Sequence, residues 1–188
     1  MQNPRLAGRY AKSLVDLAIE RNELETVYND MLLLQNIFRN NREFVNVMRS
    51  PVILADKKRD IFNAVAQGGR ISKLTTSFYE LLVRKNREAS FPEIVNALIE
   101  QYKQHKNIQT VTLTTARPVS EAVKQEIIQK VQAQSPNKSI ELKTEVKEDL
   151  IGGFVLEMGD TLVDASIAYD LKAIRKQFLN NDFIYKIR

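Results

Sequence analysis

Two hydrophobic periods divide the chain. Up to about residue 107, apolar side chains recur every three to four positions. Ala7, Tyr10, Ala11, Leu14, Leu17 and Ala18 follow the i, i+3, i+4, i+7 rule of one helix face. Asn22 with Glu25 has the spacing of a capping box and opens a second helix to about Asn40, with Leu24, Val27, Met31, Leu34 and Phe38 on its apolar side. A third helix, Phe44 to Arg49, stops before Ser50-Pro51, because the residue preceding proline avoids the α region. Asp56 to Gln67 forms a fourth, stopped by Gly68-Gly69. Ser72 to Lys85 forms a fifth, with Leu74, Phe78, Leu81, Leu82 and Lys85 along one side. Ser90 with Glu93 caps a sixth that reaches about Lys106. Six helices joined by short loops predict a compact bundle.

The period changes at Lys106-Asn107. Thr110 to Thr115 alternates with period 2 and is rich in β-branched residues. Glu121 to Gln134 returns to helical spacing, Ser135-Pro136-Asn137 breaks it, and Ser139 to Val146 alternates again. From Leu150 to Ser166 an apolar strand is entered through Gly152-Gly153, turns at Gly159-Asp160 and is followed by a second short strand. Gly152 and Gly153 carry no Cβ and permit a bend or a close backbone approach. Gly159 and Asp160 suit a tight hairpin turn. Asp164 or Ser166 can accept hydrogen bonds from the free N–H groups of a last helix marked by Ile167, Leu171, Ile174 and Phe178. The expected class is α+β: a six-helix bundle over residues 1–107, a small α/β domain over 108–180, and a tail at 181–188.

At 188 residues and 44% hydrophobic content the chain can bury two small cores. No apolar run approaches the ~18 residues of a membrane span, and the first twelve residues carry Arg5, Arg9 and Lys12 without the apolar core of a secretory signal. The absence of cysteine excludes disulfides and thiolate metal sites. The net charge of +5 belongs wholly to residues 1–107, which hold 17 Lys/Arg against 12 Asp/Glu, while residues 108–188 hold 11 of each. That asymmetry admits an acidic partner, nucleic acid or a membrane surface, or simply a solvated helical surface.

Candidate chemistry is sparse. His105 is the one histidine, near a helix end beside Lys103 and Lys106, and a lone histidine in a chain without cysteine cannot build a typical zinc site. Gly68 to Lys73 superficially suggests a phosphate loop but lacks the Walker spacing and follows a helix. Gly152, Gly153 and Gly159 lead into strands, against a dinucleotide fingerprint. Asp160 and Asp164 could serve as an acid/base pair or hold a divalent ion, yet turn and cap roles account for both. Lys57-Lys58-Arg59 and Arg84-Lys85-Asn86-Arg87 read as solvated helix ends and loops; a basic nucleic-acid-binding protein is the alternative, lacking a recognisable reading element. The first helix is broader: besides its main stripe it carries Leu6, Val15 and Ile19, the width of an internal helix or of one that also receives a partner.

Four segments carry a family resemblance, in order and over nearly the whole length: Ala7 to Leu14, Phe78 to Arg87, Thr115 to Val119, and the glycine-rich block Leu150 to Ser166. They resemble the delta subunit of F-type ATP synthases, the oligomycin-sensitivity-conferring protein of mitochondria. The resemblance implies a non-catalytic peripheral-stalk connector without cofactor, metal or small-molecule substrate. It implies a groove between the first and fifth helices that receives the amphipathic N-terminal helix of a catalytic-head alpha subunit. By motif the groove residues are Ala7, Tyr10, Ala11, Leu14, Phe78, Leu81, Leu82 and Lys85. It further implies that the α/β domain grips the C-terminal ends of the b subunits. Nucleic acid is then not a partner, and attachment is to the cytoplasmic face of a bacterial inner membrane, only through the complex. Gly152, Gly153, Gly159, Asp160, Asp164 and Ser166 are its structural signature.

Overall fold

Small side chains set the packing of the first helix in the computed structural model, which describes residues 4–66, 71–134 and 139–179. The chain divides into two units, Met1–His105 and Lys106–Arg188. In the first, helix α1 (Pro4–Glu20) buries Ala7, Ala11, Leu14, Val15 and Ala18 and packs chiefly on α6 (Phe91–His105). Gln101 Nε2 donates to the Gly8 carbonyl at 2.9 Å across that contact. Between them in sequence lie α2 (Leu24–Asn40), α3 (Arg42–Arg49), α4 (Ala55–Ala66), α5 (Lys73–Arg84) and a 3-10 turn, Glu88–Ser90.

The centre of the bundle is aromatic. Phe91, fully buried, meets Phe38 and Phe62 edge-on at 5.8 and 5.7 Å and Tyr79 at 5.0 Å. Phe62 and Tyr79 stack at 3.9 Å, joining α4 to α5. Such pairs add about 0.5–1.5 kcal/mol each beyond the area they bury. Burial, with the charge of Glu88 second, pushes the Tyr79 hydroxyl far above the usual phenol range. Tyr28 stacks on Tyr102 at 3.7 Å, and the Tyr102 hydroxyl donates to Glu25 Oε2 at 2.6 Å. Burial and that hydrogen bond push its pKa up to about 12.

Two buried polar contacts tie the bundle across long sequence separations. Asp30 Oδ2 accepts from Ser72 N at 3.0 Å and from Thr75 Oγ1 at 2.7 Å, holding the start of α5 on α2. Lys58, expected on a solvated helix, is 2% exposed; its Nζ lies 2.9 Å from Glu88 Oε1. A lysine sunk this far needs a counter-charge, and removing either partner of a buried pair typically costs about 3–5 kcal/mol.

Both expected capping boxes are replaced by other ends. Asn22 has φ +56°; its N–H bonds to Ile19 O at 3.1 Å and that of Glu23 to Ala18 O at 2.9 Å. This is the Schellman closure of α1, where asparagine tolerates the left-handed region. Asn86, at φ +54°, closes α5 the same way, with Asn86 N to Val83 O at 3.0 Å and Arg87 N to Leu82 O at 2.8 Å. Asn107 (φ +53°) follows α6. Ser90 ends the 3-10 turn, and Glu93 instead pairs with Arg49. The genuine N-caps are Asn41, accepting from Phe44 N at 3.1 Å, and Ser72, accepting from Thr75 N at 3.3 Å. The expected stops at Gly68-Gly69 and Ser135-Pro136-Asn137, and the tail 181–188, lie outside the described residues.

The second unit is a four-stranded sheet in the order β2-β1-β3-β4, built from β1 (Ile108–Thr115), β2 (Ser139–Val146), β3 (Gly153–Met158) and β4 (Thr161–Ser166), with α7 (Glu121–Gln134) and α8 (Ile167–Leu179). β1 and β2 are parallel, connected through α7; β3 is antiparallel to both β1 and β4. The register sets Leu142 and Met158 beside Val111, and Leu156 beside Leu113, on one apolar face. The other face carries Thr110, Thr112, Glu141, Lys143 and Glu157. Among the described residues of this unit the buried hydrophobic side chains are Val111 and Leu113 of β1 and Val131 of α7.

The entry to β3 is the tightest point of this unit. Gly153 has φ +75°, and a Cβ there would stand 2.1 Å from the Ala165 carbonyl oxygen. A Cβ on Gly152 would meet Ile167 Cδ1 at 2.6 Å. Just before them Ile151 holds φ +64° and ψ −44°, and Gly152 N bonds to Leu150 O at 2.6 Å. This is a strained γ-turn centred on a β-branched residue. Gly153→Val is expected to lower the local stability of β3 and β4 by about 3 kcal/mol or more, combining left-handed strain with a backbone clash. Hydrogen exchange resolved by segment checks it: protection falls at least a hundredfold in β3 and β4 and is retained in α1 to α6.

Candidate functional site

The two stripes of α1 have different fates. Ala7, Ala11 and Leu14 are at most 2% exposed and belong to the core. Rotated from them on the same helix, Arg5, Leu6, Arg9, Tyr10 and Ser13, joined by Arg87, line an open surface cavity of about 540 Å³. Tyr10 is half-buried; its ring meets that of Phe78 edge-on at 6.5 Å, which places α5 beside α1 here. Helical spacing puts Leu81, Leu82 and Lys85 along the same side of α5 as Phe78. Leu82 is fully buried and Phe78 nearly so, whereas Leu81 is 44% exposed and Lys85 is exposed at the helix end.

The eight residues expected to line a groove therefore separate into a buried floor and an accessible lip. Ala7, Ala11, Leu14 and Leu82 hold the helices together and are closed to a ligand in this arrangement; Tyr10, Leu81 and Lys85 are accessible, and Phe78 supports Tyr10 from beneath. Val15, read from the sequence as part of a second side, is buried in the core. The cavity adds residues that the hydrophobic pattern did not single out: Arg5, Ser13 and Arg87. The signal was present in the four-residue spacing of Arg5 and Arg9, which sets them on one face beside Leu6 and Tyr10. Arg87 arrives through the left-handed turn at Asn86.

The glycine-rich block forms scaffolding. Gly159 (φ +58°) and Asp160 make the two-residue turn between Met158 and Thr161. Ser166 is the cap of α8, its Oγ accepting from Tyr169 N at 3.2 Å. Asp164 sits one step back and accepts from Ser166 N at 2.9 Å. Its hydrogen bonds with Ser166, side chain first, hold the Asp164 carboxyl below the usual carboxylate range. That carboxylate ties the end of β4 to the first residue before α8. Among the described residues no three His, Cys, Asp or Glu side chains gather where a metal ion could be held.

Beyond the caps, the second unit presents an apolar surface. α8 has no buried side chain. Ile167, Leu171, Ile174 and Phe178 recur at i, i+4, i+7 and i+11 on one stripe and are 46%, 50%, 48% and 77% exposed. Val163 of β4 and Phe154 of β3 are also exposed on the apolar face of the sheet, and Leu162 on the opposite face. An amphipathic helix normally turns such a stripe into a core; contiguous exposed apolar side chains mark an interaction surface.

Comparison with known proteins gives a consistent result over the full length. Residues 6–178 match the family described as ATP synthase delta (OSCP) subunit. The ATP synthase subunit delta of Cytophaga hutchinsonii is 36% identical over 178 residues, covering 95% of this chain and 96% of that protein. The protein of the same name from Christiangramia forsetii is 28% identical over 187 residues, with both chains fully covered. Among solved structures, a chain of the Toxoplasma gondii mitochondrial ATP synthase hexamer superposes with a TM-score of 0.74 at 24% identity, covering 93% of this chain and 97% of that one. That last likeness speaks for the fold.

The division into floor and lip is directly testable. Leu82→Ala is expected to destabilise the helical unit by about 2–4 kcal/mol, the cost of emptying a fully buried leucine site. Leu81→Ala next to it is expected to change stability by less than about 0.5 kcal/mol. Thermal melts followed by circular dichroism compare the two.

Proposed function

The chain belongs to the ATP synthase delta (OSCP) family and is a non-catalytic subunit of an ATP synthase, and from that premise we propose that it is the connector of the peripheral stalk, with the helical unit bound to the catalytic head and the α/β unit bound to the stalk. At the head the partner is the N-terminal amphipathic helix of an alpha subunit, docked between α1 and α5. The observation that carries this reading is the second face of α1. A helix that has already buried Ala7, Ala11 and Leu14 in its own bundle still turns Leu6 and Tyr10 to a surface cavity, where Tyr10 meets Phe78 of α5, and α5 carries an exposed Leu81. An amphipathic helix docks by inserting a few apolar anchors in such a groove.

At the other end, the unburied stripe of α8 supports a grip on the helical C-terminal ends of the b subunits. Apolar stripes at i, i+4, i+7 and i+11 mate with helices of the same kind. No described helix is long and apolar enough to cross a membrane; the proposed attachment is peripheral, through the complex, on the cytoplasmic face of a bacterial inner membrane. The protein works as a strap: bound at both ends, it opposes the torque that would turn the head with the rotor. Such a role calls for rigid, tight contacts.

Calorimetry with the full-length chain and a synthetic peptide matching the N-terminus of the alpha subunit tests the head contact. Tyr10→Ala and Leu81→Ala are each expected to weaken binding by roughly 1–3 kcal/mol, the scale of interface anchors. Unchanged affinity in a folded double variant would place the site elsewhere.

A further inference from the structure

Three arginines stand around the α1 cavity without visible local reason. Arg5 and Arg9 are four residues apart on one face of α1, and Arg87 comes from beyond α5. Among the described residues none of the three takes part in a salt bridge, and no carboxylate lines the cavity. Their placement is electrostatically unfavourable. Like charges at i, i+4 repel, and the start of a helix favours anions over cations; the first turn of α1 holds no acidic residue. The same face alternates these guanidiniums with Leu6 and Tyr10, so a ligand that satisfies it presents anionic and apolar groups at helical spacing. A free phosphate or a lipid headgroup would meet the arginines and leave the apolar positions uncovered.

Resting on the docking reading above, we propose that the groove selects its helix by charge as well as by shape: the docked helix of the alpha subunit has carboxylates one turn apart, which Arg5, Arg9 and Arg87 receive while Leu6 and Tyr10 take its apolar side. Guanidinium–carboxylate pairs have the fork geometry that fixes register along a groove, and rim charges act chiefly on association rate and salt dependence.

The test is a double-mutant cycle by calorimetry, using the full-length chain and the N-terminal peptide of the alpha subunit from the same genome. One partner is the Arg5→Gln/Arg9→Gln/Arg87→Gln variant, the other a peptide with its acidic residues changed to their amides. All three arginines are exposed and mutually repulsive, so the melting temperature should be unchanged or slightly higher. The expected result is a loss of about tenfold in affinity at low salt for either change alone, little further loss for both together, and convergence with the parent pair at high salt. Equal affinity for the arginine variant, additive losses, or an alpha N-terminus without acidic residues at i, i+4 overturns the charge selection alone, provided Tyr10→Ala still weakens binding. A parent peptide that does not bind at any salt overturns the docking reading with it. Stronger competition by sodium phosphate than by sodium chloride of equal ionic strength would identify an inorganic anion site instead, and also overturns the proposal.

Discussion

The close approach of α1 to α6 is the contact on which the helical unit depends. A helix buries one stripe about a hundred degrees wide without strain. On α1 that stripe is made of Ala7, Ala11, Leu14, Val15 and Ala18, all buried. Three alanines contribute little area each, but they let the axes come close, so that the larger side chains of α6 fill the space between. With the core side settled by small residues, the larger Leu6 and Tyr10 fall outside it. The Tyr10 ring meets Phe78 of α5 there, while Asp30 and the Phe62–Tyr79 stack hold α5 on α2 and α4. The side of α1 left facing the surface cavity is thus a consequence of which side carries alanine.

In the α/β unit the corresponding constraint is backbone proximity at Gly153. Ala165 O occupies the space of the missing Cβ, which lets β3 and β4 pair up to Gly153 and Ser166. Ser166 then caps α8 at the strand end. The helix leaves the sheet with none of its side chains buried. Its apolar stripe is left exposed where α8 follows the hairpin. Ile151, strained at positive φ and 64% exposed, stands at the same hairpin entry.

Much of this was legible in the chain because both secondary structures have periods shorter than their elements. The α1 stripe, the alternation of β1 and β2, the turn at Gly159 and the glycine entry of β3 are local patterns. The family resemblance rested on Ala7 to Leu14, Phe78 to Arg87, Thr115 to Val119 and Leu150 to Ser166, and the comparisons over residues 6–178 agree with it. What failed was local chemistry with two meanings. Asparagine favours both an N-cap and a left-handed C-cap, so Asn22 followed by Glu25 suggested the start of α2 where it ends α1. Asp164 and Ser166 both suited the cap of α8, and only geometry assigned it to Ser166. Other features had no local signal at all. Lys58 sits in a run of three basic residues, and its partner Glu88 lies 30 positions away. Asp30 meets Ser72 and Thr75 across 42 and 45 positions. Leu81 and Leu82 are adjacent and chemically identical, yet one is exposed and the other closed, which depends on how α5 is rotated against its neighbours.

A connector must hold both ends at once, and this is the claim most open to direct measurement. Sedimentation equilibrium reports the mass of the complex when the full-length chain is mixed with two ligands. One is a tagged peptide from the N-terminus of the alpha subunit; the other is a helical segment from the C-terminal end of the b protein. The account predicts a ternary species containing both ligands on one chain, with the affinity for either unchanged by saturation with the other. Mutual exclusion of the two ligands, or binding of both to the helical unit alone, would contradict it.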